Sequence, residues 1–355
     1  MSILVLSAKG WGTGSALRAF YIAEALKQRG HQVRFVKPLP TLPGWIDMAL
    51  SCPYYFCKTF FTRHQVVLVV KPYPTVIPAM LWQKMLGAKI VIDVDDLDFA
   101  YSHGTFRKIH EWLQKPWPRW ADWVTYHNPK LKESLLGFFN VDPRKTIQLP
   151  QGVNETIFNK KPLNPENLPQ KALALYKTKS QKPILVFTAH LNVACDLEPA
   201  LYAFKEVLHH VPQTQLLVAG GGPDENHFKR ITRELGIEPS VHFTGLITIS
   251  QVAACLKIST LALVYYSDVP ANLHRASMKL REALACGRPV IATRVGEIVH
   301  LKDSVVLSEP NPAAFSKAIV KTLRSKRTVS PSPALLKKWD WKDCVKDLEK
   351  ELLKK

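Results

Sequence analysis

Short, continuously apolar runs alternate along the chain with stretches whose apolar residues recur at helical spacing. Residues 3–7, 66–70, 89–92, 183–188, 215–219, 261–264 and 289–293 read as buried strands. Helices are expected from the glycine turn near residue 12 to about residue 29, over 76–86, and over 311–323. Residues 333–355 read as one or two basic helices. This alternation predicts an α/β protein with parallel sheets covered by helices on both faces. At 355 residues the chain is long for a single core, so two domains are expected. Residues 1–155 form the first. A polar stretch rich in proline and lysine, 156–182, reads as a linker to residues 183–330, and 331–355 form a helical tail.

Candidate chemistry concentrates at the ends of these strands. After residue 264 the chain runs through a loop into SMKLREALACGRPV. Ser277 is placed to cap a helix, Leu280, Ala283 and Leu284 to face a core, and Gly287 with Arg288-Pro289 to end it. A helix start with Lys279 in its first turn suits an anion such as diphosphate. Glu282, three residues on, can reach a group beside that anion, such as a ribose hydroxyl. Near the N-terminus, Gly12, Thr13 and Gly14 form a strand–turn–helix corner of the kind that binds phosphate or sugar. Its G-x-G-x-G spelling, with no acidic residue closing the second strand, disfavours a nicotinamide cofactor. Asp93, Asp95 and Asp96 sit where open α/β sheets bind ligands. Asp95 and Asp96 are candidates for hydrogen bonds to sugar hydroxyls, with metal binding and turn capping as the other readings. The glycines at 220–222, Gly222 among them, would let a ligand lie against the backbone.

Charge narrows the partners. Lys and Arg total 48 against 29 Asp and Glu, a formal +19. Nucleic acid, an anionic membrane or a phosphorylated substrate would each suit that excess. No nucleic-acid-binding motif is present, so nucleic acid is set aside in favour of a sugar nucleotide and an anionic membrane surface. Phe60 and Phe61 beside Lys58 and Arg63 read either as an apolar wedge for that surface or as a buried helix. Trp112, Trp117, Trp120 and Trp123 among basic residues pose the same choice. The six cysteines are scattered without CxxC pairs and read as reduced thiols. With no apolar run of spanning length and no signal peptide, a cytoplasmic protein is expected, soluble or peripheral on the inner face of the membrane.

The segment SMKLREALACGRPVIATRVGE resembles the donor-binding segment of retaining glycosyltransferases of family 4, which have the GT-B fold. Their usual pattern has two glutamates flanking seven residues. Glu282 matches the second, and His274 stands at the first. Part of the superfamily carries a lysine where Lys279 stands. TIQLPQGVNETIF resembles the family's LPNGVD exit from the first domain, and the glycines at 220–222 match its GxGP loop. Where the best-known branch has an Arg and a Lys that clamp diphosphate, this chain has His190 and Cys195; Asn192 and Asp196 match a different branch. Asp95 aligns with a position that usually holds His.

The resemblance implies two Rossmann-like domains facing across a cleft, with the tail packing back on the first. It implies transfer of a sugar from a nucleotide-sugar to an acceptor hydroxyl with retention, without metal or further cofactor. The diphosphate would be held by the amides of Ser277, Met278 and Lys279, with charge from Arg275, and by the loops of Asn192 and Gly222. Glu282 would hold the ribose, and His274 or Asp95 would contact the sugar. Gly12, Thr13, Gly14, Asp96 and Asn128 would face the acceptor, expected to be a glycan that is lipid-linked or of lipopolysaccharide type. An epimerase or phosphorylase on the same fold, or a nucleotide-sugar binder without activity, are the alternatives.

Overall fold

Among the described residues, twelve strands form two wholly parallel six-stranded sheets. The structure, a computed structural model, describes every residue except 41–43, 102–103, 179–181, 326–328 and 355. The first sheet holds β1 (Ser2–Ser7), β2 (Gln32–Phe35), β3 (Val66–Val70), β4 (Lys89–Asp93), β5 (Trp123–Tyr126) and β6 (Thr146–Gln148), in the order β2-β1-β3-β4-β5-β6. The second holds β7 (Ile184–Thr188), β8 (Gln215–Ala219), β9 (Val241–Phe243), β10 (Leu261–Val264), β11 (Val290–Thr293) and β12 (Val306–Ser308). Its order is β12-β11-β10-β7-β8-β9. Strand addition reverses between β1 and β3 and again between β7 and β10. At such switch points the loops diverge and leave a crevice at the strands' carboxyl ends. This is the α/β architecture expected from the alternation of apolar runs.

The chain divides into two compact units. One comprises Met1–Gly152, His274–Ala276 and Lys338–Lys355, and the other Val153–Leu273 and Ser277–Lys337. The described residues of the stretch 156–182, expected as a linker, fold within the second unit. They contain the helix Gln170–Lys177, and Leu168 and Ala172 are buried there. With Phe158, these apolar anchors bury side chains in a stretch whose composition is otherwise that of a linker.

The first unit is organised around a buried ion pair. Arg18, on the helix Gly14–Gln28, is 1% exposed and Asp93, at the end of β4, is fully buried. Arg18 Nε and Nη2 donate to the two carboxylate oxygens at 2.7 and 2.9 Å. Nη2 also donates to the Leu149 carbonyl at 2.8 Å, and Nη1 to the Pro150 carbonyl at 3.4 Å and Gln151 Oε1 at 3.1 Å. All five guanidinium N–H groups are therefore used, which burial of such a cation demands. The Trp341 ring lies 5.7 Å from the guanidinium carbon and stacks on Tyr21. A Cβ at Gly152 would come within 2.5 Å of that indole, so the exit segment LPQG needs its glycine for close packing. The tail helices Trp341–Cys344 and Lys346–Leu353 are tied down further by Glu349, which accepts from Arg29 Nε and His31 Nε2, each at 2.7 Å.

Arg18→Met should leave the Asp93 carboxylate buried without its cation and lower unfolding free energy by about 3–5 kcal/mol in a urea titration. A loss below about 1 kcal/mol would show that the pair does not organise this unit.

Candidate functional site

In the second unit the chemistry gathers at the β7–β10 switch point. Ser277 caps the helix Met278–Ala285 by accepting from the Leu280 amide at 3.3 Å. The Ser277 amide does not point to an open loop, however. It donates to Glu297 Oε1 at 2.9 Å, and Arg281 grips both oxygens of Glu297 at 2.6 and 2.9 Å. The expectation that this amide holds diphosphate is thus corrected: a carboxylate of the chain already occupies it. Lys279 stays well placed. Its ammonium lies 4.6 Å from the Phe187 ring at the end of β7 and 4.9 Å from Tyr266 just after β10. A cation in a first helical turn opposes the helix dipole, so the placement favours an anion brought there from outside.

Glu282 is partly buried, and no hydrogen bond or ion pair within the described residues engages its carboxyl. Burial alone pushes it up to about 7. It can therefore accept from a ligand hydroxyl when ionised or donate when neutral. Two further expectations change meaning. Asn192 spends its side-chain oxygen on the Ala194 amide at 3.0 Å, capping its own turn. Gly222 is glycine because a Cβ there would lie 2.3 Å from the Leu191 carbonyl, so backbone packing, not ligand approach, explains it. Asp196, which has no site role in the sequence reading, sits in the left-handed region at φ 55°. It accepts from Ser267 Oγ at 2.6 Å and Asn272 Nδ2 at 3.0 Å, pinning the loop that leads to Ser277.

In the first unit the carboxyl ends of β3, β4 and β5 bring together Lys71, Asp95 and His127. Lys71 Nζ is 3.5 Å from Asp95 Oδ1, and His127 Nε2 donates to the Asp95 carbonyl at 2.5 Å. Asp93 is consumed by Arg18 and by the Thr125 hydroxyl, and Asp96 Oδ1 accepts from the Leu97 amide at 2.9 Å. Thr13 caps the helix Gly14–Gln28; Gly12 has φ 96°, and added Cβ atoms at Gly12 and Gly14 would meet open space. Asn128, expected to face an acceptor, is used at both ends. Its oxygen accepts from the Leu131 amide and its nitrogen donates to the carbonyls of His274 at 3.0 Å and Arg275 at 3.4 Å. His274 is buried with Nε2 2.9 Å from Ser134 Oγ, a contact that fits a structural role better than a catalytic one. Lys71, His127, Arg281 and Glu297 carry no signal in the sequence that singles them out. Partners sixteen residues apart, as Arg281 and Glu297 are, leave no local pattern to read.

Two parallel Rossmann-like sheets with ligand-competent switch points define the GT-B class. Anabaena HepE, solved in complex with UDP and glucose, superposes with a TM-score of 0.75 at 14% identity, covering 99% of each chain. More narrowly, residues 182–325 match the family described as glycosyl transferases group 1. Alpha-monoglucosyldiacylglycerol synthase of Streptococcus pneumoniae is 28% identical over 163 residues, 46% of this chain and 35% of its own length. The GDP-mannose-dependent alpha-(1-6)-phosphatidylinositol monomannoside mannosyltransferase of Mycolicibacterium smegmatis is 24% identical over 172 residues, 45% of each chain. The matched regions thus span about a third to a half of these curated relatives. Together the findings show the GT-B fold for the chain and a group 1 glycosyl transferase match for residues 182–325.

Glu282 gives a pH test. The folded chain holds a proton that the unfolded chain releases above about 4.5, so the stability tied to the neutral carboxyl is lost as pH rises toward about 7. Glu282→Gln should match wild type near pH 4.5 and exceed it by up to about 3 kcal/mol above pH 7. A gap independent of pH would mean that the carboxyl is not desolvated.

Proposed function

We propose that the protein transfers a sugar from a nucleotide-sugar to an acceptor hydroxyl with retention of anomeric configuration. The observation that carries this reading is Glu282 without a partner, one helical turn from Lys279, inside the segment that matches the group 1 family. Glu282 receives the ribose hydroxyls. Lys279 meets the charge that grows on the diphosphate as the anomeric carbon–oxygen bond breaks. The acceptor oxygen bonds to that carbon, and its proton passes to the departing phosphate oxygen. This route needs positioning and charge stabilisation more than a protein base, and it uses no metal. In the first unit, Asp95, held by Lys71 and His127, and the Gly12–Gly14 loop are the groups we assign to hydroxyls of the acceptor.

The acceptor is a lipid-linked hydroxyl presented at a membrane surface. The two curated relatives described above each carry a lipid in their names. No helix of the described residues is long and apolar enough to cross a membrane. The first unit instead exposes an aromatic ridge. Phe61 is 92% and Met85 79% exposed, and Phe60 stacks on Trp82 at 4.7 Å. Lys58 and Arg63, close in sequence, supply positive charge for anionic headgroups. The wedge reading of Phe60 and Phe61 fits this geometry better than the buried-helix reading.

Lys279→Ala should weaken nucleoside diphosphate binding by more than about tenfold while leaving nucleoside binding nearly unchanged, as calorimetry would read. Equal losses for both ligands would remove the phosphate role. Phe61→Ser with Met85→Ser should abolish co-sedimentation with anionic vesicles at low salt. A wild type that stays in the supernatant would refute the membrane surface.

A further inference from the structure

Lys279 is the second residue of the helix Met278–Ala285, where the field of the first amides pushes a cation away. An ammonium on a flexible four-carbon stem would ordinarily swing out of that field into water. Two aromatic faces keep it in. Its Nζ lies 4.6 Å from the centre of the Phe187 ring and 4.9 Å from that of Tyr266, both within the range of a cation–π attraction. Phe187 is fully buried and Tyr266 is 6% exposed, so water competes little for these faces. Burial pushes the Cys195 thiol up, while the Leu197 amide and the Lys279 charge pull it partly back, so the ammonium and that thiol share one neighbourhood. The topology supplies both rings. β7 and β10 are neighbours across the switch point; Phe187 lies near the end of one and Tyr266 two residues past the other. Tyr265 turns to Phe315, with ring centres 5.0 Å apart, and Tyr266 turns to Lys279. The Tyr266 backbone is anchored twice by Thr293 Oγ1 of β11, which accepts from its amide at 2.7 Å and donates to its carbonyl at 2.8 Å.

We propose that Phe187 and Tyr266 are positioning residues: they hold the Lys279 ammonium at the ends of β7 and β10, ready for the diphosphate of a nucleotide-sugar. The inference rests on the proposed transfer reaction, in which Lys279 meets that diphosphate. The rings act through the cation and not on the phosphate. A lysine stem ordered before the ligand arrives loses less freedom on binding, and that saving appears as affinity. The effect therefore shows in diphosphate binding and vanishes when the cation is removed.

Calorimetry on the full chain tests this without turnover, with UDP, GDP, ADP and CDP, their nucleosides and inorganic pyrophosphate as probes. Phe187 belongs to the core of the second sheet, so Tyr266 carries the test. Tyr266→Leu should weaken the nucleoside diphosphate that wild type binds by about fivefold and leave its nucleoside unchanged. Tyr266→Phe, which keeps the ring, should bind within about twofold of wild type. In a Lys279→Ala background, Tyr266→Leu should cost nothing further, because the contact that the ring makes is already gone. A Tyr266→Leu loss that persists in full in that background, equal losses for nucleoside and diphosphate, or no loss at all would overturn the positioning role. In each of those cases a diphosphate affinity that still falls in Lys279→Ala leaves the transfer reading standing. Wild type that binds neither a nucleoside diphosphate nor pyrophosphate removes both.

Discussion

The buried Arg18–Asp93 pair is the constraint on which the first unit depends. A guanidinium sealed from water must satisfy five donors, and doing so ties the first helix, the end of β4 and the three residues after β6 to one point. That fixes where β4 ends, and so where Asp95 and Asp96 emerge. It also fixes the course of the exit segment, against which Trp341 packs so closely that Gly152 admits no side chain. Asp93 heads the acidic run yet is unavailable to a ligand, so the D-x-D spelling does not translate into a set of free carboxylates.

A second carboxylate plays a comparable part in the other unit. Glu297 takes the Ser277 amide and both arms of Arg281, and so holds the start of the Met278–Ala285 helix. The nearby Glu282 is left without any such partner. Of these two glutamates, one spends its charge on the fold and the other keeps a carboxyl that burial pushes up to about 7. Division of labour of this kind is common where perturbed carboxyls mark functional sites.

How much was legible follows from the range of the interactions concerned. Val66–Val70 and Leu261–Val264 could be bounded from their apolar runs because a fully buried parallel strand has no polar positions to blur its ends. Ser277 as a cap and Lys279 as a first-turn cation were readable because both are local. The partners of Asn128 and His274 were not legible because they lie 146 and 140 residues away, and nothing in the local pattern reveals that an amide or imidazole is already engaged. The packing demand at Gly222 was hidden for a related reason. A glycine demanded by a neighbouring backbone and one demanded by a ligand look the same in sequence.

The central claim is that the segment around Lys279 and Glu282 holds a nucleotide-sugar. Thermal unfolding of the full chain against UDP-, GDP-, ADP- and CMP-sugars tests it directly, since a ligand that binds only the folded state raises the melting temperature by mass action. The account predicts a clear rise with one nucleotide class, retained in EDTA and reduced by Glu282→Ala. No rise with any donor, or a rise that Glu282→Ala leaves intact, would contradict it.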